Sequence, residues 1–229
     1  QRMGELCGHG PSLETDIACT NISLDLFGQV RSYFQYAAVL DGTKTEDDIA
    51  FLRKEREYKN VLLVEQPNTD FAYTIVRQFL FDVYHLMFLT ALQNSTDDTL
   101  RAIAKKSIKE VSYHERFSSD WVIRLGDGTE ESHQKIQAAV NDLWTYTEEL
   151  FHVTANDKEA IDLGLGVDVL ALKAPYYAKV AEVLTQGTLN IPDIKWFQKG
   201  GKNGIHTEHL GYLLADLQYM QRTYPNMEW

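Results

Sequence analysis

Apolar residues recur every three or four positions along most of the chain, which is the spacing of amphipathic helices. Glycine and proline, which interrupt helices, are confined to a few short segments. Read in chain order, the pattern predicts helices over residues 12–40, 45–64, 71–93, 99–125, 129–151, 157–163, 168–185 and 207–223. Short connections between the longest helices favour antiparallel neighbours, so we predict an all-α helix bundle.

A single domain is the simplest organisation for a chain of 229 residues. We predict a core bundle at about 12–151, built on the first, third, fourth and fifth helices, and a helical extension at about 152–229. The helix over 71–93 is apolar nearly all round, which predicts a place at the centre of the bundle.

Charge and cysteine content narrow the possible partners. The formal net charge of −11 predicts no nucleic acid partner and no binding to an anionic membrane surface. Cys7 and Cys19 match no metal-ligand pattern, so we expect two free thiols and a cytoplasmic setting. We count no apolar run of the roughly 18 residues that span a membrane. The chain opens at Gln1 rather than Met, from which we expect a missing N-terminal piece.

Polar residues on apolar helical faces are the candidate functional residues. Asp82 and His85 are three apart in the most apolar helix, so both project from one face. Burying a carboxylate there is costly unless it is paired or bound to metal. Equivalent residues occur near the middle of the other three long helices. The full candidate set is Asp25, Asp82, His85, Glu110, His114 and Asp142.

This set resembles the ferritin-like di-iron layout, in which two helices each give one Glu and two give Glu-x-x-His. Three departures degrade it: Asp82 has a short side chain, Glu110 and His114 are misspaced, and Thr145 stands where the second His is expected. We therefore predict a vestigial site without metal, in which Asp82, His85, Glu110 and nearby Tyr hydroxyls hydrogen-bond one another. A mixed metal site formed by Asp82, His85 and Glu110 remains an alternative.

A glycine-rich segment near the C-terminus offers a second candidate site. Its backbone N–H groups, before a helix, could cradle a phosphate such as that of an acyl-CoA. We favour a turn that docks on a partner. The neighbouring His206, Glu208 and His209 have the residue types of a metal site, but neighbouring residues on a helix face different ways. We therefore prefer a helix-capping and interface role for this segment, with Thr207 as the capping residue. The candidate residues of this loop are Lys199, Gly200, Gly201, Lys202, Gly204, His206, Glu208 and His209.

Several long segments together resemble a known family. The longest runs Gly-Gly-Lys-Asn-Gly-Ile-His-Thr-Glu-His-Leu-Gly over 200–211. The others are Gly-Glu-Leu-Cys-Gly-His at 4–9, Asn-Ile-Ser-Leu-Asp-Leu-Phe-Gly-Gln at 21–29, Leu-Val-Glu-Gln-Pro-Asn at 63–68, Lys-Glu-Val-Ser-Tyr-His at 109–114 and the terminal Trp229. With these segments the chain resembles the C subunits of bacterial phenylacetyl-CoA epoxidases almost end to end.

The resemblance implies a ferritin-like structural subunit, not catalytic by itself, of a monooxygenase that epoxidises the aromatic ring of phenylacetyl-CoA with O2 and NADPH. It implies a homologous A subunit with the di-iron centre and the CoA thioester, a small B subunit, and a reductase with flavin and an iron–sulfur cluster. This chain would then hold no cofactor. Two rivals remain: a di-iron oxygenase or oxidase active in its own right, and a free-standing helical binding module.

Overall fold

The computed structural model describes residues 1–225 and 227, so Trp229 and its part in the resemblance lie outside the described residues. Within that part of the chain the regular secondary structure is helical throughout. The α-helices, in order, are α1 (Arg2–Glu5), α2 (Leu13–Asp41), α3 (Glu46–Phe51), α4 (Phe71–Leu92), α5 (Asp98–Gly126), α6 (Glu130–Leu143), α7 (Ala155–Asp162), α8 (Lys173–Gln186) and α9 (Glu208–Thr223). Short 3₁₀ turns occupy Glu55–Glu57, Leu62–Glu65, Trp144–Tyr146, Glu148–Phe151 and Gly201–Asn203.

Helix α4 lies at the centre, as its apolar sequence predicts. Asp70 begins it by accepting a hydrogen bond from the Tyr73 N–H at 2.8 Å. Neighbours α5, α6 and α8 pack around it. By length and composition α4 could also cross a membrane, contrary to our count of apolar runs. More than half of its most apolar stretch is buried inside the protein, which is typical of a core helix.

The main core extends beyond the predicted bundle of 12–151. Tyr176, Val180 and Leu184 of α8 are fully buried in the same apolar cluster as Phe79 of α4 and Leu143 of α6. Helix α8 therefore packs as a core helix, although its sequence position falls in the C-terminal extension. Helix α2 contacts α5 and encloses a smaller apolar cluster with the N-terminal residues.

Three helices are shorter than their sequence pattern predicts. The helix expected over 45–64 ends at Phe51, because the buried Leu62 and Leu63 belong to a separate 3₁₀ turn held by tertiary contacts. The helix expected to reach residue 151 ends at Leu143 and continues as 3₁₀ turns. Helix α8 begins at Lys173, which places Pro175 in the first turn, where its missing N–H costs nothing.

Candidate functional site

Asp82 is one of two candidate residues, with His114, that are completely buried. Its carboxyl is fully enclosed; one oxygen accepts a hydrogen bond from Gln78 Nε2 at 2.6 Å, and the other lies 2.9 Å from Ser118 Oγ. Burial raises the pKa of Asp82 to about 8, and the hydrogen bonds from Ser118 and Gln78 offset only part of that shift. Asp82 is therefore mostly protonated at neutral pH. A protonated Asp82 can donate a hydrogen bond to Ser118 Oγ. Ser118 has only one hydrogen to donate, and it also lies 2.9 Å from the His114 carbonyl, which can accept that hydrogen.

The two histidines lie on neighbouring helices, His85 on α4 and His114 on α5. Burial, with His114 as a neighbour, lowers the pKa of His85 to about 4, so its imidazole is neutral. His114 is completely buried and its Nε2 lies 3.0 Å from Asp25 Oδ2. Among the described residues, the Nδ1 atoms of both histidines find no hydrogen-bond partner. The Asp–His pair of this cluster is thus Asp25–His114, not a pair within α4.

Glu110 lies one turn from His114 and bonds to a different residue of α2. Its carboxylate accepts a hydrogen bond from Gln29 Nε2 at 2.8 Å. The predicted network of Asp82, His85, Glu110 and Tyr hydroxyls is therefore wrong in its partners. In the part of the chain that the structure describes, Asp82 bonds to Gln78 and Ser118, and Glu110 bonds to Gln29.

Asp142 does not join the other five candidates. It is exposed, and its carboxylate accepts a hydrogen bond from the Tyr73 hydroxyl at 2.7 Å. Tyr73 precedes Asp82 by nine residues on α4, which is roughly 13 Å along a helix. The prediction that Asp142 points into the bundle is wrong, because α6 ends at Leu143 and turns its buried face, Ile136, Ala139 and Val140, toward the core instead.

The five inner candidates, Asp25, Asp82, His85, Glu110 and His114, do not converge on one point. Among residues 1–225 and 227, no three His, Cys, Asp or Glu side chains come close enough to hold a metal ion. The arrangement can hold protons and hydrogen bonds, but its described donors do not form the carboxylate-bridged set that two irons need.

The C-terminal loop already encloses an anion, and that anion is Glu149 of the same chain. Its Oε1 accepts hydrogen bonds from the N–H groups of Gly200 and Gly201, both at 2.7 Å, and its Oε2 accepts one from Leu62 at 2.6 Å. Lys202 is also engaged, with its Nζ 2.8 Å from Asp157. The N–H groups proposed to cradle a phosphate therefore bind an internal carboxylate, while Lys199 at the loop's edge is exposed.

Two glycines let this loop lie directly on the chain's own backbone. A Cβ at Gly201 would come within 2.2 Å of the Asn60 carbonyl oxygen. One at Gly204, which has a φ of +80°, would meet the Arg56 carbonyl at 2.5 Å. From the sequence we favoured a turn that docks on a partner subunit. At Gly201 and Gly204 that prediction is corrected, because both residues pack against residues 56–62 of the same protein.

Glu65 forms the second half of this region, and it is almost completely buried. Oε1 lies 2.6 Å from His206 Nδ1, and Oε2 accepts hydrogen bonds from both the N–H and the hydroxyl of Thr207, at 2.9 and 2.6 Å. His206 Nε2 lies 2.9 Å from the Tyr58 carbonyl. Both ring nitrogens face oxygen acceptors, so the geometry favours a doubly protonated imidazole paired with the Glu65 carboxylate.

The remaining loop candidates have simpler roles. Thr207 begins α9, as predicted, but its hydroxyl bonds Glu65 and makes no side-chain cap of the helix. Glu208 stands exposed in the first turn of α9, where a negative charge suits the helix dipole. The His209 carbonyl accepts a hydrogen bond from Arg2 Nη2 at 3.4 Å. His206, Glu208 and His209 share no common ligand point in the described chain.

Sequence reasoning missed both organising carboxylates, Glu149 and Glu65. Glu149 follows Glu148, and such a pair reads as solvated helix surface. One signal was present: Glu149 directly precedes Leu150 and Phe151, which are buried. The N–H groups of a glycine-rich loop can bind an anion, and a carboxylate of the same chain is as suitable for this as a bound phosphate.

Comparison with known proteins fits this helical architecture. A model of the phenylacetic acid catabolic protein family, whose members are ferritin-like, matches residues 1–229, so the chain belongs to that family. It is 49% identical to the C subunit of 1,2-phenylacetyl-CoA epoxidase from Escherichia coli (strain K12), over 100% of this chain and 92% of that protein. The predicted ferritin-like fold and the predicted place in phenylacetate catabolism are confirmed.

Proposed function

We propose that this chain is a non-catalytic structural subunit of a multicomponent phenylacetyl-CoA epoxidase. The full-length relationship to the C subunit of such an epoxidase supports the place in the complex. The observation that carries the non-catalytic role is geometric: among the described residues no three His, Cys, Asp or Glu side chains lie close enough to hold a metal ion, and Asp82 is hydrogen-bonded to Gln78 and Ser118.

In this proposal the reacting groups reside in other subunits. A homologous A subunit holds the di-iron centre and the acyl-CoA, and the assembly also contains a small B subunit. A reductase with flavin and an iron–sulfur cluster delivers electrons from NADPH for the reduction of O2. This chain contributes a helical surface that stabilises the A subunit, in the cytoplasm. Direct contact with acyl-CoA is a minor part of the proposal, because the best phosphate donors of this chain, Gly200 and Gly201, are bound to Glu149.

The test is co-expression of the A and B subunits and the reductase with and without this chain, followed by an assay of phenylacetyl-CoA epoxidation. We expect the activity of the A subunit to fall sharply when this chain is omitted. Unchanged activity would contradict the proposal. Iron analysis of the purified chain tests the rival enzyme: about two irons per chain, with turnover in the absence of the A subunit, would establish an independent oxygenase.

A further inference from the structure

Helix α2 carries apolar residues on two opposite faces. The inner face is buried through Cys19, Ile22 and Gln29. The outer face bears four large apolar side chains that are half to three-quarters exposed: Leu13 (71%), Ile17 (51%), Leu24 (64%) and Phe27 (65%). We call these four residues the outer stripe. An aligned apolar row on the solvent side of a helix is unusual for a protein that functions alone.

The spacing of the outer stripe fits another helix. Leu13, Ile17, Leu24 and Phe27 are separated by four, seven and three residues, which is the a/d repeat of a coiled-coil seam. The stripe extends over 14 residues, or roughly 21 Å of helix. A partner helix packed along α2 at a small crossing angle would cover all four side chains.

A groove beside the stripe indicates what that helix must carry. It lies between α2 and α5, has a volume of about 290 Å³, and is lined in part by Leu24, Gly28, Gln29, Ile103 and Glu110. Gly28 opens it, since a Cβ there would meet nothing within 4 Å. Leu24 and Ile103 supply apolar walls.

The inner end of the groove is rich in hydrogen-bond acceptors. Asp25 and Glu110 contribute carboxylates, and the buried Gln29 Oε1 has no hydrogen-bond partner among the described residues. Among the described residues that line the groove, the cation is Lys106, which is exposed at its edge. Apolar walls that lead to two carboxylates and an unpartnered amide oxygen fit a long basic side chain, which buries its stem and donates at its tip.

We propose that the outer stripe is the docking face for a helix of the homologous partner subunit, and that this helix inserts an arginine or lysine into the groove at Gly28. The inference rests on the proposed function, since it assigns the surface that the complex uses. A second copy of this chain fits less well. The basic residue of its α2, Arg31, is already paired with Glu46, and two copies would bring together two net charges of −11.

The first test places a charge on the stripe and compares it with a matched site on the same helix. Leu24→Asp changes a stripe residue that is 64% exposed, and Leu40→Asp changes a similarly exposed leucine off the stripe. We expect Leu24→Asp to weaken association with the co-expressed A subunit by about 30-fold or more and Leu40→Asp to change it less than about twofold. Dissociation constants come from analytical ultracentrifugation, and circular dichroism melts verify that both variants fold.

The second test blocks the groove without disturbing the fold. Gly28→Trp fills its entrance, and Val30→Trp adds the same bulk two residues away, on another face of α2. Glu110→Gln removes one carboxylate, with exposed Glu159→Gln as its control. We expect Gly28→Trp and Glu110→Gln each to weaken association by about tenfold, with a smaller salt dependence for Glu110→Gln, and both controls to bind normally.

The outcomes separate this inference from the proposed function. If the wild-type chain does not associate with the A subunit at all, the proposed function fails. If the wild type associates and Leu24→Asp and Gly28→Trp associate equally well, the docking face is wrong while the function stands. If the wild-type chain alone forms a dimer that Leu24→Asp dissociates, the occupant is a second copy and the inference is overturned.

Discussion

Two buried polar regions of this protein are built in opposite ways. The central cluster, formed by Asp25, Asp82, His85, Glu110 and His114, contains a neutral carboxyl and a neutral imidazole, and two of its ring nitrogens have no partner among the described residues. The loop clasp, formed by Glu65, Glu149 and His206, is ionic, and each of its carboxylates accepts hydrogen bonds on both oxygens.

The difference follows from what each region must stabilise. The loop clasp ties the C-terminal loop to segments 50 to 150 residues earlier, and each bond satisfies a backbone or side-chain donor that would otherwise be buried alone. The central cluster joins helices that already pack through their apolar faces. Burial favours the neutral forms of two of its members, the Asp82 carboxyl and the His85 imidazole. Four predictions sharpen this contrast.

Removal of the Glu149 carboxylate should have the largest effect. In Glu149→Ala the N–H groups of Leu62, Gly200 and Gly201 lose their acceptor. A buried donor left unpaired costs about 1–3 kcal/mol, so we expect the free energy of unfolding to fall by about 4 kcal/mol. Urea denaturation measures it. Exposed Glu159→Ala serves as the control and should change stability by less than about 0.5 kcal/mol. Equal stability of the two variants would show that the loop clasp does not hold the fold.

Glu65→Gln should have the next largest effect. The glutamine amide has an NH2 group in place of one of the two acceptor oxygens of Glu65. Depending on which oxygen is replaced, this NH2 group faces the donor of His206 or that of Thr207. We expect a loss of about 2–3 kcal/mol in the free energy of unfolding, because one charge-assisted bond is lost and one donor is left unpaired. The comparison is Glu55→Gln on the surface, measured by thermal unfolding at constant pH. A neutral result for Glu65→Gln would contradict the ion pair with His206.

Asp82→Asn should change how stability depends on pH. With a pKa of about 8 when folded and 3.8 when unfolded, Asp82 binds a proton only in the native state between these values. Its contribution therefore declines by roughly 1 kcal/mol per pH unit as pH rises, until it becomes constant above about 8. Asparagine does not titrate, so Asp82→Asn should gain stability relative to wild type by about 2 kcal/mol between pH 6.5 and 8.

His85 titrates below that pH range and in the opposite direction. Its pKa of about 4 when folded lies below its unfolded value of 6.5, so stability from His85 is present above 6.5 and is lost as pH falls toward 4. Because His85 is present in both proteins, its contribution cancels in the difference between Asp82→Asn and wild type, which reports Asp82. A difference between Asp82→Asn and wild type that stays constant from pH 6.5 to 8 would mean that Asp82 is ionised in the native state.

Asp142→Asn should have the smallest effect. Asp142 is exposed and has one hydrogen bond, from the Tyr73 hydroxyl, which an asparagine oxygen can also accept. We expect a change below about 0.5 kcal/mol in the free energy of unfolding and no change in the activity of the complex. A loss of activity with assembly intact would return Asp142 to the set of functional residues.

The sequence predicted the fold well where periodicity governs it. The apolar run of α4 predicts both its central place and the burial of Asp82, because no partner distant in sequence is needed to make either inference. The prediction that Asp142 points into the bundle was wrong, because an apolar sequence pattern can pass from an α-helix into 3₁₀ turns without a visible break. The roles of Glu65 and Glu149 were missed because most of their donors lie 50 to 150 residues away, and only the folded chain brings them together.

The proposed non-catalytic role of this chain is tested most directly by replacing the two α4 members of the central cluster in an otherwise complete enzyme. The double variant Asp82→Asn, His85→Gln replaces both of them, which are two of the three residues of the alternative mixed metal site. Reconstituted with the other subunits, it should epoxidise phenylacetyl-CoA at a rate per assembled complex within about twofold of wild type. A loss of tenfold or more, with the same amount of complex on ultracentrifugation, would mean that this chain takes part in the chemistry.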